Sequence, residues 1–300
     1  MPFFSIIIPT YNRCSFISST INSVLCQDFS DYEIIIIDDG STDNTRNVIL
    51  NQWPDHPYIK YVYQDNSERG AARNVGIKKA NGYYIVFLDS DDLMHNNHLH
   101  VLYQLITKNP NINFFATKYD IIRNNKTSTS SVTRLKTGIY SIDLFLEGNP
   151  LAVNFCIKKN NPSLFLFVED RKYSTMEDWI FLIQNLKMDV ILISEPITIS
   201  LNDHQGRSMR QNNQLIIEKK LNAMEWILQN IELKASQKKK LKSYSYYFCS
   251  IHSYIENERK KAFKYLLSSI CLNGIRYVHI VLGIKILLGY NSVQKFKLSE

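Results

Sequence analysis

Hydrophobic positions in the N-terminal part of the chain form short continuous runs, with stretches of helical spacing between them. The runs Phe3–Pro9, Glu33–Asp38 and Tyr84–Asp89 are almost wholly apolar, which is typical of strands buried on both faces of a parallel sheet. Tyr58–Tyr63 alternates more, and Ile112–Thr117 is a fifth predicted strand. Helices are predicted at about 15–27, 42–52, 69–80 and 94–108. This repetition predicts an α/β fold with a doubly wound, mainly parallel sheet flanked by helices.

The pattern changes towards the C-terminus. The polar stretch Asn124–Ser131 predicts a loop or a hairpin. From Leu215 onward the spacing is helical, and one predicted core-facing stripe consists of Ile217, Leu221, Met224, Leu228 and Ile231. We therefore divide the chain into an α/β domain, 1–214, and a helical region, 215–300. The apolar stretch Tyr277–Tyr290 is short and carries Lys285, so a docking helix and an interfacial helix are both open.

Composition excludes several classes of protein. Hydrophobic residues make up 45% of the 300 residues and charged residues 21%, which excludes a disordered or fibrous chain. The five cysteines are far apart and form no CxxC, so neither a disulfide framework nor a zinc cluster is predicted. No apolar run has the roughly 18–20 residues of a membrane span, and the N-terminus lacks a signal-peptide pattern. We expect a soluble, cytoplasmic protein.

The positive charge of the chain is concentrated in the C-terminal region. The formal net charge is +7, and residues 215–300 hold 15 Lys and Arg against 6 Asp and Glu, a local balance of +9. The clusters Lys238–Lys242 and Arg259–Lys261 suit an anionic membrane face, and solvated helix faces explain them equally well. The aromatic run Tyr244–Phe248 lies in an apolar helical pattern, so we expect no nucleic-acid binding. These helices could equally pack on a second copy, which leaves a homo-oligomer open.

Carboxylates collect where predicted strands end. The fourth strand runs into Asp89-Ser90-Asp91-Asp92 and the second into Asp38-Asp39-Gly40, and ligands of doubly wound sheets bind outside these ends. The chain has no GxGxxG after the first strand, no Walker-A motif and no GxSxG, so glycines would not cradle a phosphate. Clustered carboxylates favour a hard cation, Mg²⁺ or Mn²⁺, which can bridge to a diphosphate. Helix capping is the alternative interpretation of both turns.

Five motifs make a more specific pattern. They are Ser5–Arg13 (SIIIPTYNR), Ile34–Asp43 (IIIIDDGSTD), Arg69–Gly76 (RGAARNVG), Asn81–Asp92 (NGYYIVFLDSDD) and Met176–Trp179 (MEDW). In this order and spacing the chain resembles the family 2 glycosyltransferases, over roughly residues 1–205. The resemblance implies a GT-A fold and an inverting enzyme of the kind that builds bacterial cell-surface glycans.

The resemblance also implies a role for matching residues. Tyr11 would lie against the nucleobase, because an aromatic face stacks on any base, and Asp39 would accept a hydrogen bond from the uracil N3–H. Arg73 would face the base or the phosphates. Asp91 would contact the metal, and Asp89 the ribose or a metal-bound water. The implied nucleotide-sugar-binding set is Pro9, Thr10, Tyr11, Arg13, Asp39, Arg73, Asp89 and Ser90, and the metal set is Asp91, Asp89 and His204.

Glu177 and Asp178 resemble the acidic pair on the acceptor side of the family. Inversion by direct displacement needs a base for the acceptor hydroxyl, and Asp178 would be that catalytic base. Ser174–Glu177 has capping-box spacing before a predicted helix 178–186, which would occupy Glu177 and leave Asp178 without a structural role. The dipole of that helix would lower the pKa of Asp178.

Histidines near the acidic turns have two interpretations. His95, His98 and His100 form an HxxHxH pattern; we favour a polar, exposed helix face over a metal site, because oxygen ligands suit the expected ion. His204 lies where relatives often place a histidine on the metal or the diphosphate, and a plain loop histidine is equally open. Arg207 or Arg210 could close over the diphosphate.

The predicted function is transfer of a hexosyl or N-acetylhexosaminyl group from a nucleotide sugar, UDP-linked, to a hydroxyl of a glycan or lipid-linked acceptor in polysaccharide biosynthesis. The basic C-terminal region would then contact the inner face of the cell membrane. The alternative is a non-catalytic nucleotide-sugar-binding module of the same fold. Residues 120–172 match no motif, so the sugar and the acceptor stay open.

Overall fold

The computed structural model describes residues 1–204, 206 and 212–290. The chain divides into two compact units. The first consists of Met1–Ile142 and Asn149–His204, and the second of Asp143–Gly148 and Gln205–Glu300. In the part of the chain so described, no helix has both the length and the apolar character that a membrane span needs.

Strands and helices alternate in the N-terminal half of the chain. The strands are β1 Phe4–Thr10, β2 Tyr32–Asp39, β3 Ile59–Gln64, β4 Tyr84–Phe87, β5 Leu93–Met94, β6 Phe114–Arg123, β7 Lys126–Thr129, β8 Gly138–Tyr140, β9 Cys156–Lys158 and β10 Ile191–Asn202. The helices before residue 204 are α1 Ile17–Leu25, α2 Thr45–Gln52, α3 Glu68–Lys79, α4 His98–Lys108, α5 Ile142–Phe145 and α6 Glu177–Asn185, with 3-10 turns at Ser131–Arg134 and Arg171–Tyr173.

Within the described residues, ten strands form one sheet in the order β3-β2-β1-β4-β9-β6-β10-β5, with β7 beside β6 and β8 beside β10. The first four strands of this order are parallel to one another. Every residue of β1 and β2 is buried, which is why their sequences are continuous apolar runs. The predicted α/β sheet with flanking helices is confirmed.

The middle of the sheet contains a strand that the sequence pattern did not predict. β9 is three residues long and pairs antiparallel with β4 on one side and with β6 on the other. Cys156 and Ile157 are fully buried, but so short a run has no periodicity to read. Because β6 is parallel to β10, β9 joins two parallel groups of strands.

The second unit is mainly helical. Its helices are α7 Asn213–Asn230, α8 Ala235–Ile255, α9 Arg259–Asn273 and α10 Tyr277–Leu288. On α7 the predicted stripe is displaced: Ile217 and Met224 are buried, whereas Leu221 and Leu228 are half-buried. Ile216, Lys220, Ala223 and Ile227 complete the buried face. The later helices pack around Tyr254, Ala262, Leu266, Leu282 and Ile286.

Candidate active site

The parallel strands of the first unit place their carboxyl ends at one edge of the sheet. Thr10 pairs with Asp38 across β1 and β2, and β4 runs parallel on the other side of β1. The turns that follow these strands therefore meet at that edge. Tyr11 and Asp89 lie in these turns, and Asp39 is the last residue of β2.

Two nitrogen groups hold one oxygen of Asp91. Arg13 Nε lies 3.3 Å from Asp91 Oδ2, and His204 Nε2 lies 2.8 Å from the same oxygen. The Phe16 ring stacks on the His204 imidazole with ring centroids 4.5 Å apart. Arg13, Asp91 and His204 were all predicted as site residues, and the fold brings them together from three distant parts of the sequence.

Three carboxylates form a candidate metal centre after β4. One oxygen from each of Asp89, Asp91 and Asp92 lies within 4.8 Å of the other two. Asp92 Oδ1 also accepts a 2.9 Å hydrogen bond from the Asn202 backbone N–H, which fixes it against β10. Oxygen ligands this close suit a hard divalent cation, and the cation would offset the repulsion between them. The residues present therefore fit Mg²⁺ or Mn²⁺.

Arg73 joins this acidic turn to Glu177. Its side chain is fully buried, and its two terminal nitrogens each lie 2.9 Å from a carboxylate oxygen, one on Asp89 and one on Glu177. Gly70 on the same helix permits this packing, because a Cβ there would lie 2.5 Å from the Val168 carbonyl oxygen. Arg73 was expected to face the base or the phosphates, and its guanidinium lies enclosed between the two carboxylates; that role stays a prediction.

The start of α6 differs from the predicted capping box. The helix begins at Glu177, and Met176 rather than Ser174 occupies the N-cap position. Thr175 has a φ of +75°, which a β-branched residue rarely adopts. Such a conformation persists only where the surroundings hold it. The carboxylate of Glu177 binds Arg73 and so cannot be explained as a cap.

Asp178 is held by two hydrogen bonds. Asn149 Nδ2 donates to Oδ2 at 2.8 Å, and the Trp179 backbone N–H donates to Oδ1 at 2.7 Å. Burial, and then the charge of Glu177, raise the pKa of Asp178 to about 7, although Arg73 acts in the opposite direction. The predicted lowering by the helix dipole is therefore wrong, because desolvation outweighs it. A carboxyl group that titrates near neutral pH is suited to accept a proton.

The predicted nucleotide-binding residues fall into two groups. Tyr11 is 45% exposed, which leaves a ring face open for stacking. Asp39 is buried, and its Oδ1 already accepts hydrogen bonds from Gln64 Nε2 at 2.7 Å and from the Ser67 backbone N–H at 2.9 Å. Pro9, Thr10 and Ser90 of the predicted set are buried too, so their side chains offer little surface to a ligand.

The three histidines after the acidic turn do not form one face. His98 is buried, and its Nδ1 lies 2.7 Å from Thr198 Oγ1. His95 Nε2 lies 2.9 Å from Ser200 Oγ. Of these three histidines, all of which the structure describes, only His100 is exposed. The predicted exposed face is therefore wrong for His98, which packs the start of α4 against β10.

Sequence reasoning missed two residues of the site. Arg69 Nε lies 3.7 Å from Glu177 Oε1, and its side chain is partly exposed; its place inside the RGAARN motif was the available signal. Asn149 had no such signal, because it lies in the segment that matches no motif. Arg207 and Arg210 lie outside the described residues.

The comparisons with known proteins agree with this geometry. Residues 5–157 match the model of Glycosyl transferase family 2. The match covers more than half of the chain, which therefore belongs to glycosyl transferase family 2. It includes four of the five motifs, and the acidic pair at 177–178 lies beyond it. The predicted family is confirmed.

One curated relative is the UDP-Glc:alpha-D-GlcNAc-diphosphoundecaprenol beta-1,3-glucosyltransferase WfgD of Escherichia coli. It is 42% identical over 122 residues, which are 40% of this chain and 47% of the relative. The matched part spans less than half the length of the curated relatives.

Two solved structures share the fold. S. aureus TarS 1–349 in complex with UDP-GlcNAc superposes with a TM-score of 0.69 at 20% identity, over 90% of this chain and 81% of that one. The mannosyltransferase PcManGT of Pyrobaculum calidifontis, in complex with GDP-Man and Mn²⁺, gives 0.63 at 15% identity, over 98% and 83%. These likenesses confirm the GT-A type of fold.

Proposed function

We propose that this glycosyltransferase moves a sugar from a UDP-sugar to a hydroxyl group of a glycan or lipid-linked acceptor, with inversion and with help from a divalent cation. The observation that carries the proposal is the pairing of two acidic groups: a carboxylate cluster suited to a cation, and Asp178, whose pKa of about 7 suits a base. Arg73 connects the two through Asp89 and Glu177. Residues 1–214 would form the catalytic domain.

The donor side would bind the nucleotide at the carboxyl ends of β1, β2 and β4. Tyr11 offers a ring face to the base, and Asp39 lies at the next strand end. Asp89 and Asp91 would hold Mg²⁺ or Mn²⁺, with His204 beside them. A bound cation supplies charge compensation to the departing diphosphate.

Asp178 would act on the acceptor. The acceptor oxygen forms a bond to the anomeric carbon while the bond from that carbon to the diphosphate oxygen breaks, and its electron pair leaves with the nucleotide. The hydroxyl proton passes to Asp178, which must therefore be ionised beforehand. Asn149 orients the carboxylate through Oδ2. A single displacement from the opposite side inverts the anomeric configuration.

The relatives support the substrate class. The name of WfgD states a UDP-glucose donor and a diphosphoundecaprenol-linked acceptor, and TarS was solved with UDP-GlcNAc. We therefore infer a UDP-linked donor and an acceptor carried on a lipid diphosphate, used at the inner face of the cell membrane.

Calorimetric titration of UDP, in Mn²⁺ and in EDTA, tests the donor side. We expect binding in Mn²⁺ that weakens in EDTA, and about tenfold weaker binding for Tyr11→Ala, because stacking on a base is worth about 1–3 kcal/mol. Tyr83→Ala is the control, because Tyr83 is half-exposed and precedes the amino end of β4, away from the carboxyl ends of the strands. If the folded protein binds GDP or dTDP but not UDP, the donor assignment is contradicted. Inversion is tested separately, by determining the anomeric configuration of the product by NMR.

A further inference from the structure

The outer face of α10 is apolar and exposed. Tyr277, Ile280, Ile284 and Leu287 recur at helical spacing, and all four are exposed, Tyr277 at 79% and Leu287 at 74%. The opposite face of the same helix is buried through His279, Leu282 and Ile286. A surface helix normally carries polar residues on its outer side. An apolar stripe of this length indicates a surface that another apolar phase covers.

The surroundings of this stripe are cationic. Residues 259–290, which form α9 and α10, contain six Lys and Arg and no Asp or Glu. The six are Arg259, Lys260, Lys261, Lys264, Arg276 and Lys285. The side chains of Lys260 and Lys264 are exposed on α9, which packs against α10 through Leu266 and Gly283.

A groove of about 330 Å³ continues the apolar surface. Tyr277 and Val278 of the stripe helix form one side, and Tyr254 of α8 lies on the other. Among the residues that the structure describes, Lys285 is the one charged residue that lines it. A polar ligand would have few hydrogen-bond partners in this groove. The acyl chain of a lipid could pack against its apolar side chains, with Lys285 near the lipid head group.

We propose that the α9–α10 surface docks onto an anionic lipid bilayer, with the α10 stripe inserted at the interface and the lysines of α9 near the lipid phosphates. Charge complementarity favours this occupant over a second copy of the chain, because two copies would bring the same cations face to face. Apolar insertion and attraction to anionic lipid act together in interfacial helices. The proposal concerns binding alone and stands or falls independently of sugar transfer.

Sedimentation of the full chain with vesicles tests the proposal, without donor or acceptor present. We expect binding to vesicles in which phosphatidylglycerol replaces about a third of the phosphatidylcholine, and weak binding to phosphatidylcholine alone. Leu287→Glu should weaken binding about tenfold or more. Met188→Glu is the matched control, since Met188 is also 74% exposed and lies in the first unit.

A second pair of variants isolates the charge. Lys260→Gln with Lys264→Gln should weaken binding about fivefold for each lysine, whereas Lys126→Gln with Lys136→Gln, also exposed, should leave it unchanged. Circular dichroism establishes that each variant is folded. The proposal is overturned if the wild type does not bind anionic vesicles or binds both lipid compositions equally. It is also overturned if Met188→Glu weakens vesicle binding as much as Leu287→Glu does. Light scattering that shows a dimer lost in Leu287→Glu, without vesicle binding, would assign the face to a second copy.

Discussion

The two acidic groups of the site differ in the positive charge around them. Asp91 has Arg13 and His204 on one oxygen, and Asp89 has Arg73. Asp178 has no cation within ion-pair distance among the described residues, and its partners are an amide and a backbone N–H. The carboxylates of the first group therefore already contact guanidinium or imidazole groups, whereas Asp178 is buried with neutral partners and is suited to exchange a proton. Similar side chains acquire different chemistry from their neighbours.

The largest expected effect is on the transfer rate, and it distinguishes the role of Asp178 from that of the carboxylates at Asp89 and Asp91. Asp178→Asn keeps the shape of the side chain but cannot accept the proton, so the transfer rate should fall by about 10²–10⁴-fold. UDP affinity should stay within about twofold, as calorimetry would show. Asp55→Asn, a change at an exposed turn, is the control for both. Near-normal transfer by the Asp178 variant would assign the base elsewhere.

On the cation side, we expect a loss of both UDP binding and transfer. Asp91→Asn removes a carboxylate from the cluster, so Mn²⁺-dependent UDP binding should weaken. Transfer should fall by about 10²-fold, because a bound cation can stabilise the charge on the leaving diphosphate by several kcal/mol. UDP titration with and without Mn²⁺ measures the first change. If UDP binding in Mn²⁺ is unaffected while transfer is lost, the two groups are not separated as proposed.

Replacing Arg73, which connects Asp89 to Glu177, should lower the free energy of unfolding. Arg73→Met removes the guanidinium that contacts both Asp89 and Glu177, and breaking a buried ion pair typically costs about 3–5 kcal/mol. Urea unfolding measures this loss. Adding Glu177→Gln to Arg73→Met should recover part of it, because one buried charge is then removed. An unchanged unfolding midpoint in Arg73→Met would show that the guanidinium is not needed.

The smallest expected effect is a shift in pH dependence. Asp178 must be ionised to act, so kcat/KM should rise with pH through a midpoint near 7. Its raised pKa also means that the folded state holds this proton more tightly than the unfolded chain does, so this contribution to stability is lost as pH rises through 7. Asn149→Ala removes a hydrogen bond that favours the ionised form and should move the midpoint up by about one unit. A downward shift would contradict this assignment.

Much of the donor half could be predicted from the sequence, because its strands are buried runs and its chemistry follows them directly. The polar stretch at Asn124–Ser131 likewise becomes the β6–β7 hairpin, with Asn124 and Asn125 at positive φ. The acceptor half could not be predicted so fully. From local sequence alone we predicted that Glu177 caps a helix and that the helix dipole lowers the pKa of Asp178. In the structure Glu177 instead contacts Arg73, which is distant in sequence, and burial raises the pKa of Asp178.

The short strand β9 has a consequence for how the chain folds. Its two partners, β4 and β6, both precede it in the sequence, so they can be joined through β9 only after residue 158 has been synthesised. Loop closure of this kind is slow relative to local pairing. The turns after β1, β2 and β4 can therefore assemble early, before α6 and His204 have been synthesised. During synthesis the strand ends that carry Tyr11, Asp39 and Asp89 would therefore form before the helix that carries Asp178.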